Sequence, residues 1–154
     1  MSFQPDPDPT PHAVRVLGVW REVSISGRRD ERIAAVANLQ RGRIAFRQLR
    51  AIGVSPASVD WLVSRGRLLP SLRCVFSVGD SAPVELGAET DALLSVREGA
   101  ALSHWSAAAL WGLWTPAPAA IDLIVATASK ASANPGVHVH RSRILTRALT
   151  RRGL

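Results

Sequence analysis

The chain has 154 residues, of which 47% are hydrophobic, and it carries a formal net charge of +7. This length accommodates one domain or two small ones, and this composition supports a packed core. A single cysteine, Cys74, excludes an internal disulfide framework, and no apolar run approaches the ~18–20 residues of a membrane span. Because the N-terminus is acidic and proline-rich, unlike a signal peptide, the sequence predicts a cytoplasmic protein with no membrane partner.

Residues 1–29 are predicted to be disordered or extended. Residues 2–12 contain four prolines and no periodicity of core residues, which favours a polyproline-like tail. Residues 13–26 alternate apolar and polar side chains in places, so they form either a strand that pairs with a later hairpin or a poorly packed lead-in. A turn follows, and Asp30 at its end is expected to cap the first helix.

Two short helices are predicted next. The first is expected over residues 31–40, because apolar residues recur there at the i, i+3, i+4 spacing of one buried stripe. The second is expected over about residues 47–52. Gly53 follows it, and glycine at this position is typical of a helix C-terminus.

A third helix and a hairpin complete the predicted N-terminal domain, residues 30–80. Ser55 followed by Pro56 is a strong helix start, with a serine N-cap and proline in the first helical position. This helix is expected to end at Gly66. Residues 68–78 are rich in β-formers, with Pro70-Ser71 in the middle, and this pattern favours a hairpin. Three helices and a hairpin predict a winged helix-turn-helix, whose third helix enters the DNA major groove.

Residues 81–145 are predicted to form a small domain of helices and strands. The expected elements, helix, helix, strand and strand, cover residues 85–97, 104–113, 121–127 and 137–144. The second of these helices is apolar nearly all round, so we expect it and most of the tryptophans to be buried. Residues 146–154 form a basic tail. The predicted fold class is therefore α+β.

The charge pattern favours a nucleic-acid partner. Arginine supplies 18 of the 19 basic side chains, and residues 41–73 hold seven arginines against one acid, Asp60, which leaves +6. A basic stretch on a helix-turn-helix is the electrostatic signature of a nucleic-acid-binding protein. An arginine-rich solvated surface without a partner is the alternative. We predict double-stranded DNA as the partner.

The predicted DNA-binding residues lie on the helix-turn-helix and beside the hairpin. Arginine reads guanine edges and binds phosphates, and serine bonds to either. The predicted set is Arg43, Arg47 and Arg50 for phosphates, Ser58, Ser64 and Arg65 for bases, and Arg67 and Arg73 beside the wing. The arginines of the last eighteen residues are expected to extend the contact.

No metal site and no cofactor are predicted. His138 and His140 share one strand face, but a metal site needs three or four ligands. Besides His104, the only spare histidine and cysteine candidates are His12 and Cys74, and nothing in the sequence places these two nearby. His104 is expected to be a partly buried histidine at a helix start, hydrogen-bonded to a neighbouring backbone.

No catalytic residues are predicted either. A nuclease needs clustered carboxylates to hold magnesium and a lysine or similar base. Asp122 is the only acid after Glu98, and Lys130 is the only lysine. A phosphate-binding glycine-rich loop is also absent from the sequence. We therefore expect the chain not to be an enzyme.

Four stretches resemble a known family. They are G-R-I-A-F-R-Q-L-R-A-I-G-V-S-P-A-S-V-D-W-L-V-S-R-G-R-L at 42–68, V-F-S-V-G at 75–79, L-S-H-W-S-A-A-A-L-W-G-L at 102–113 and V-H-V-H-R-S-R at 137–143. The family is that of the AbiEi antitoxins of abortive-infection (type IV) toxin–antitoxin systems, and the likeness covers about residues 30–145. It implies a transcriptional regulator that represses its own operon through inverted repeats. It also implies that the protein counters a nucleotidyltransferase-type toxin without a stable direct complex.

The chain departs from that family at several positions. Asp60 and Trp61 lie on the third helix, and residues 70–72 are not basic at the expected wing tip. Ala45 replaces the usual serine or threonine cap of the second helix, and Cys74 replaces the wing glycine. These departures leave open a winged helix used for protein contacts.

Longer relatives continue into a Vsr-like endonuclease domain. The other alternative is therefore an N-terminal targeting module, or a remnant of such a longer protein, that is not active by itself.

Overall fold

The computed structural model describes residues 11–16, 19–24, 27–80, 82–96, 99–115, 119–129, 131, 134–143, 152 and 154. These residues form an α+β structure, as predicted, with helices packed on small sheets. No helix in this part of the chain is long and apolar enough to cross a membrane.

The first two strands form a hairpin of their own. β1 (Pro11–Val16) pairs antiparallel with β2 (Val19–Ser24) in a two-stranded sheet. The predicted alternative in which this region pairs with the wing is wrong for the described residues, because β1 and β2 bond to each other. Residues 2–10 of the predicted tail lie outside the described part.

Three helices and three strands follow. They are α1 (Arg29–Asn38), β3 (Arg43–Ala45), α2 (Phe46–Ala51), α3 (Pro56–Ser64), β4 (Leu68–Leu72) and β5 (Val75–Val78). The strands form an antiparallel sheet in the order β3-β5-β4. These bounds lie within about two residues of the predicted helices and hairpin.

The start of α1 differs from the prediction. The helix begins at Arg29, and the backbone N–H of Arg28 donates to the Glu31 carboxylate at 2.9 Å. A carboxylate at the third helical position that reaches back in this way stabilises a helix N-terminus. Asp30 is therefore not the cap. It lies in the first turn, and its carboxylate accepts a hydrogen bond from Arg67 at 2.9 Å.

The turn between α2 and α3 contains the predicted helix end and the predicted helix start. Gly53 has φ +79°, a left-handed conformation that glycine adopts without strain. The Val54 N–H then donates to the Leu49 carbonyl at 2.9 Å, which closes the C-terminus of α2. Ser55 Oγ accepts from the Ser58 N–H at 3.2 Å, and Pro56 occupies the first turn of α3. The predicted stop and start are both confirmed.

A buried pair of amides replaces the missing side-chain cap of α2. Gln48 Oε1 accepts from the Ala45 N–H at 2.8 Å, and the Gln40 and Gln48 amides donate to each other at 2.7 and 2.9 Å. Gln40 also donates to the Arg43 carbonyl at 2.7 Å. Both glutamines are at most 2% exposed. The pair joins the end of α1 to the start of α2.

The hairpin turns later than predicted. The strands meet at Arg73-Cys74, with Leu72 paired to Val75, so Pro70 lies inside β4 and not at the tip. The edge position of β4 and the register shift beside Pro70 explain this, because proline lacks the N–H that a central strand needs. Cys74 is exposed at the turn with φ +59°, a conformation that favours glycine.

Both faces of this sheet are covered. On one face α1, α2 and α3 pack a core that includes Ile44, Leu49 and Leu68. On the other face, Ala45 and Val75 contact Leu94 of α4 (Gly87–Ser95). All three residues of β3 are buried as a result.

A second sheet follows α4. Its elements are β6 (Ala101–Leu102), α5 (His104–Leu110), β7 (Ile121–Ala126) and β8 (Val137–Ser142). The order is β6-β7-β8, with β6 antiparallel and β8 parallel to β7. Leu123 and Val125 of β7 pack with Ala92 and Val96, so α4 lies on one face of the sheet. The opposite face meets α5, where Ser106 Oγ accepts from the backbone N–H of Asp122 at 2.9 Å.

The prediction that α5 is a buried tryptophan-bearing helix is wrong. The helix has seven residues, and Ser106 and Leu110, four positions apart, are its fully buried ones. One turn of contact leaves the other sides of so short a helix in solvent. The exposed apolar residues on and after it are Trp105 at 54%, Trp111 at 40%, Leu113 at 79% and Trp114 at 42%.

Candidate nucleic-acid interface

The outward face of α3 carries the polar residues that the sequence places there. Val59 and Leu62 point into the core and are 2% exposed. Asp60, Ser64 and Arg65 are exposed, as are Ala57 and Trp61. Ser58 is half-buried. The helix therefore presents one accessible face, opposite the stripe that packs on the sheet.

Trp61 lies at the centre of this face between two cations. The residue is 46% exposed, and the guanidinium carbons of Arg29 and Arg65 lie 5.0 and 5.6 Å from the ring centroid. Arginine within about 6 Å of a tryptophan ring is attracted by the ring's quadrupole. Trp61 thus holds one arginine from α1 and one from the end of α3 on a common surface. The sequence did not predict the part played by Arg29.

The two serines predicted to reach bases already have hydrogen-bond partners. Ser58 Oγ accepts from Ser55 Oγ at 2.9 Å, within the N-terminal turn of α3. Ser64 Oγ donates to the Trp61 carbonyl at 2.8 Å. Ser64 therefore offers only its lone pairs outward in this arrangement. Of the three predicted base-reading residues, Arg65 has the donors best suited to a guanine edge.

Arg67 and Arg73 lie beside the hairpin, as predicted. Arg67 follows α3 and pairs with Asp30 at 2.9 Å, with the two side chains 59% and 47% exposed. An exposed pair of this kind contributes about 0–1 kcal/mol, so a phosphate competes readily for the guanidinium. Arg73 is exposed at the hairpin turn. Leu72, next to it, packs against the core of the second sheet and fixes that end of the hairpin.

Arg43 is buried, which removes it from the predicted phosphate contacts. It is 9% exposed, and its Nε lies 3.5 Å from Asp91 Oδ1 on α4. A Cβ at Gly87 would come within 3.1 Å of its guanidinium, so glycine at the start of α4 provides the space. Burial raises the pKa of Asp91, while Arg43 and a hydrogen bond from Ser71 oppose that rise. This arginine holds β3 to α4.

Arg47 and Arg50 remain at the surface of α2. Arg47 Nη1 donates to the Leu94 carbonyl of α4 at 2.6 Å. Arg50 Nη1 donates to the Val54 carbonyl at 3.1 Å, within the turn before α3. Both residues are exposed. The Arg50 guanidinium has further donors, so it can reach a phosphate from a position already fixed by the protein.

The C-terminal arginines are only partly described. Arg141 donates to the Ala131 carbonyl at 2.8 Å, and Arg143 is exposed at the end of β8. Arg152 pairs with Glu85. Arg147 and Arg151 lie outside the described residues, so the predicted extension of the contact by this tail stays a prediction.

A second polar cluster lies on the face of the second sheet that meets α5. Asp122 Oδ1 is 2.9 Å from His140 Nε2 and 3.6 Å from His138 Nδ1. The rings of His104 and His140 lie 4.0 Å apart between centroids. The sequence did not predict that Asp122 and His104 lie beside His140.

Pairing of strands explains how this cluster forms. Asp122 pairs with His138 in the parallel register of β7 and β8, and His140 follows on the same face. The Ser103 N–H donates to the Asp122 carbonyl at 2.9 Å, and His104 therefore begins α5 beside the strand. The β-rich run of β7 and the alternation of apolar and polar residues in β8 were visible in the sequence. The two-residue strand β6, which brings His104 next to β7, was not visible in the sequence.

No family model matches this chain, and no curated protein matches it either. The likeness to AbiEi antitoxins accordingly remains a resemblance carried by the four stretches quoted above.

Proposed function

We propose that residues 27–80 form a winged helix-turn-helix that binds double-stranded DNA. The observation that carries this proposal is the exposed face of α3, on which Trp61 holds Arg29 and Arg65. The element order α1, β3, α2, α3, β4, β5 with an antiparallel sheet in the order β3-β5-β4 supports it. A helix-turn-helix places its second helix, here α3, in the major groove.

The proposed contacts follow from the positions of the arginines. Arg65 ends α3 and reads base edges, for which its planar pair of donors is suited. Arg67 leaves Asp30 for a phosphate, and Arg50 meets a second phosphate from α2. Arg29 enters the set because of its place over Trp61. Arg43 leaves it because of its burial.

We further propose that this binding serves transcriptional regulation of the AbiEi antitoxin type. The chain would repress its own operon, and it would counter a nucleotidyltransferase-type toxin without a stable complex. The resemblance supports this role, and the +7 charge favours an acidic partner. No chemistry is assigned to the chain in this proposal.

The test is fluorescence anisotropy with the chain's own upstream DNA and with a scrambled duplex, at two salt concentrations. We expect tighter binding to the upstream DNA, with the preference kept at higher salt. Arg65→Ala/Arg67→Ala should weaken binding by about 10–100-fold. It should also reduce the slope of log affinity against log salt by about 0.9 for each phosphate that the variant no longer binds.

A charge-preserving variant separates base reading from charge. Arg65→Lys/Arg67→Lys keeps both positive charges but loses the planar donors of arginine. It should keep the salt dependence of the parent and lose much of the preference for the upstream DNA. The proposal is contradicted if Arg65→Ala/Arg67→Ala binds both duplexes as tightly as the parent does at both salt concentrations. In that case α3 is not part of a DNA interface.

A further inference from the structure

The cluster of His104, Asp122 and His140 has the composition and geometry of a metal site. We propose that these three residues bind one divalent transition-metal ion, with Zn²⁺ as the best fit. Each residue offers one ligand atom, and the three atoms lie within 4.8 Å of one another. This site is separate from α3 and does not depend on the proposed DNA binding.

The donor set selects the class of metal. Two imidazole nitrogens and one carboxylate oxygen are ligands of Zn²⁺ and its neighbours in the first transition row. Mg²⁺ and Ca²⁺ prefer oxygen ligands throughout. Asp122 is 8% exposed and supplies the negative charge that a buried dication needs. Zn²⁺ is therefore favoured over the hard cations.

The spacing of the ligand atoms is close to what a bound ion requires. Zinc bonds of about 2.0–2.1 Å hold tetrahedral ligand atoms about 3.3 Å apart. His140 Nε2 and Asp122 Oδ1 are 2.9 Å apart, so they need to separate by only a few tenths of an ångström. The ligand atom that His104 offers lies within 4.8 Å of the other two, so it needs to come closer by up to about 1.5 Å to complete the set.

The protein holds the ligands from three separate elements. Asp122 lies on β7, His140 on β8 and His104 at the first position of α5. His104 Nδ1 lies 3.0 Å from Ser103 Oγ, which fixes the ring and leaves Nε2 for the ion. A hydrogen bond to the second nitrogen of a ligating histidine is usual in metal sites.

The site is open on one side. His104 is exposed, and the side chain of His140 is 39% exposed, so an ion has a path from solvent. Three protein ligands leave a fourth position, as in zinc sites that bind water or another ligand. His138 lies at the rim, 67% exposed and 3.6 Å from Asp122 Oδ1.

The experiment is isothermal titration calorimetry of the metal-stripped full chain with Zn²⁺ alone. We expect one ion per chain, with a Kd on the order of micromolar or tighter, weaker than four-ligand structural sites. His140→Gln and Asp122→Asn should each weaken binding by more than about 100-fold, because even outer-shell changes cost 10–100-fold. Mg²⁺ should produce no comparable binding.

His12→Gln is the matched control. Besides His138 at the rim, His12 is the one histidine of the chain outside the cluster, and it lies on β1, a strand that approaches α2. The His12→Gln variant should bind Zn²⁺ with a Kd within about twofold of the parent's, since the substitution removes an imidazole but no proposed ligand. Circular dichroism verifies that each variant folds. If Asp122→Asn or His140→Gln does not fold, His104→Gln replaces it in the titration, because this substitution changes an exposed residue.

Substitution of Co²⁺ gives a second measurement, because its visible bands report the ligands directly. The parent should show them, and His104→Gln should lose them. The proposal fails if the parent binds no Zn²⁺. It also fails if His140→Gln binds as tightly as the parent, or if His12→Gln loses binding to the same extent. In each of these cases the three side chains do not form a metal site, and the His140–Asp122 contact is only a hydrogen bond.

Discussion

At the scale of single residues, the buried Gln40–Gln48 pair decides how α2 begins. Gln48 accepts from the Ala45 N–H and exchanges hydrogen bonds with Gln40, and both amides are out of contact with water. A buried donor or acceptor that loses its partner costs about 1–3 kcal/mol. The pair therefore compensates for an alanine at the N-cap, where a serine or threonine would contribute about 1 kcal/mol.

Gln48→Met tests this role. The substitution leaves the Ala45 N–H and one or more groups of Gln40 unpaired, so it should reduce the free energy of unfolding by about 2–4 kcal/mol. Urea denaturation measures the change. Asn38→Met replaces an exposed amide at the end of α1 and should stay within about 0.5 kcal/mol of the parent. Equal effects of the two substitutions would contradict a structural role for the pair.

Residues with a local physical role were the ones that the sequence predicted well. Ser55, Pro56 and Gly53 act within one turn of their own position, and the structure confirms each. Asp30 was misjudged because Glu31 is placed to reach the Arg28 N–H. The amide pair spans eight positions and needs the folded chain, so no local pattern indicated it.

At the scale of elements, Arg43 and Asp91 join β3 to α4. Their side chains are 11% and 10% exposed, and burial raises the pKa of Asp91 above its ordinary value of 3.8 despite the nearby guanidinium. Between the ordinary value and the raised one, the folded protein binds more protons than the unfolded chain. The stability that Asp91 contributes is therefore complete below the ordinary value and is lost as the pH rises through the raised pKa.

Asp91→Asn should remove this dependence. The free energy of unfolding of the variant minus that of the parent should rise with pH above 3.8, by at most about 1.4 kcal/mol per pH unit. Urea denaturation of both proteins from acidic to neutral pH measures the difference. Asp60→Asn, at an exposed position of α3, is the control for the loss of one carboxylate from the chain. A difference for Asp91→Asn that falls with pH would mean that Arg43 outweighs burial.

Elements defined by their own periodicity were predictable, and those defined by their neighbours were not. The helices α1, α2 and α3 and the hairpin followed from apolar spacing and turn residues. The burial of α5 was overestimated because Trp105 on the helix and Trp111 and Trp114 after it are exposed, and a composition that is apolar all round does not show which side packs. The hairpin turn was misplaced because a proline in an edge strand resembles a turn signal.

At the scale of the whole molecule, α4 belongs to both sheets. Leu94 packs on Ala45 and Val75 of the first sheet, while Ala92 of the same helix and Val96, the residue that follows it, pack on the second. Leu72 of the hairpin also contacts the second core. Two domains with a boundary near residue 80 were predicted from the sequence. We predict that these two parts unfold as a single cooperative unit, because α4 is shared between the two cores and neither sheet keeps its cover if α4 leaves.

Leu94→Ala tests this cooperativity. Leu94 is 1% exposed, and truncating a buried leucine costs about 2–5 kcal/mol. We expect hydrogen exchange measured on peptides from α1 to α3 and on peptides from β7 and β8 to accelerate by the same factor. Urea denaturation followed by circular dichroism and by tryptophan fluorescence should give coincident transitions in the parent and the variant.

Leu49→Ala provides the comparison, because Leu49 is completely buried within the first core and does not contact α4 in the clusters that the described residues form. If the chain unfolds as a single cooperative unit, Leu49→Ala also accelerates exchange in β7 and β8, although these strands lie in the other sheet. If exchange in β7 and β8 stays at the parent's rate, the two sheets unfold independently and α4 is only a linker. Cooperative behaviour would mean that an ion bound at His104, Asp122 and His140 also stabilises α3, because a ligand that binds only the folded state shifts the whole unfolding equilibrium.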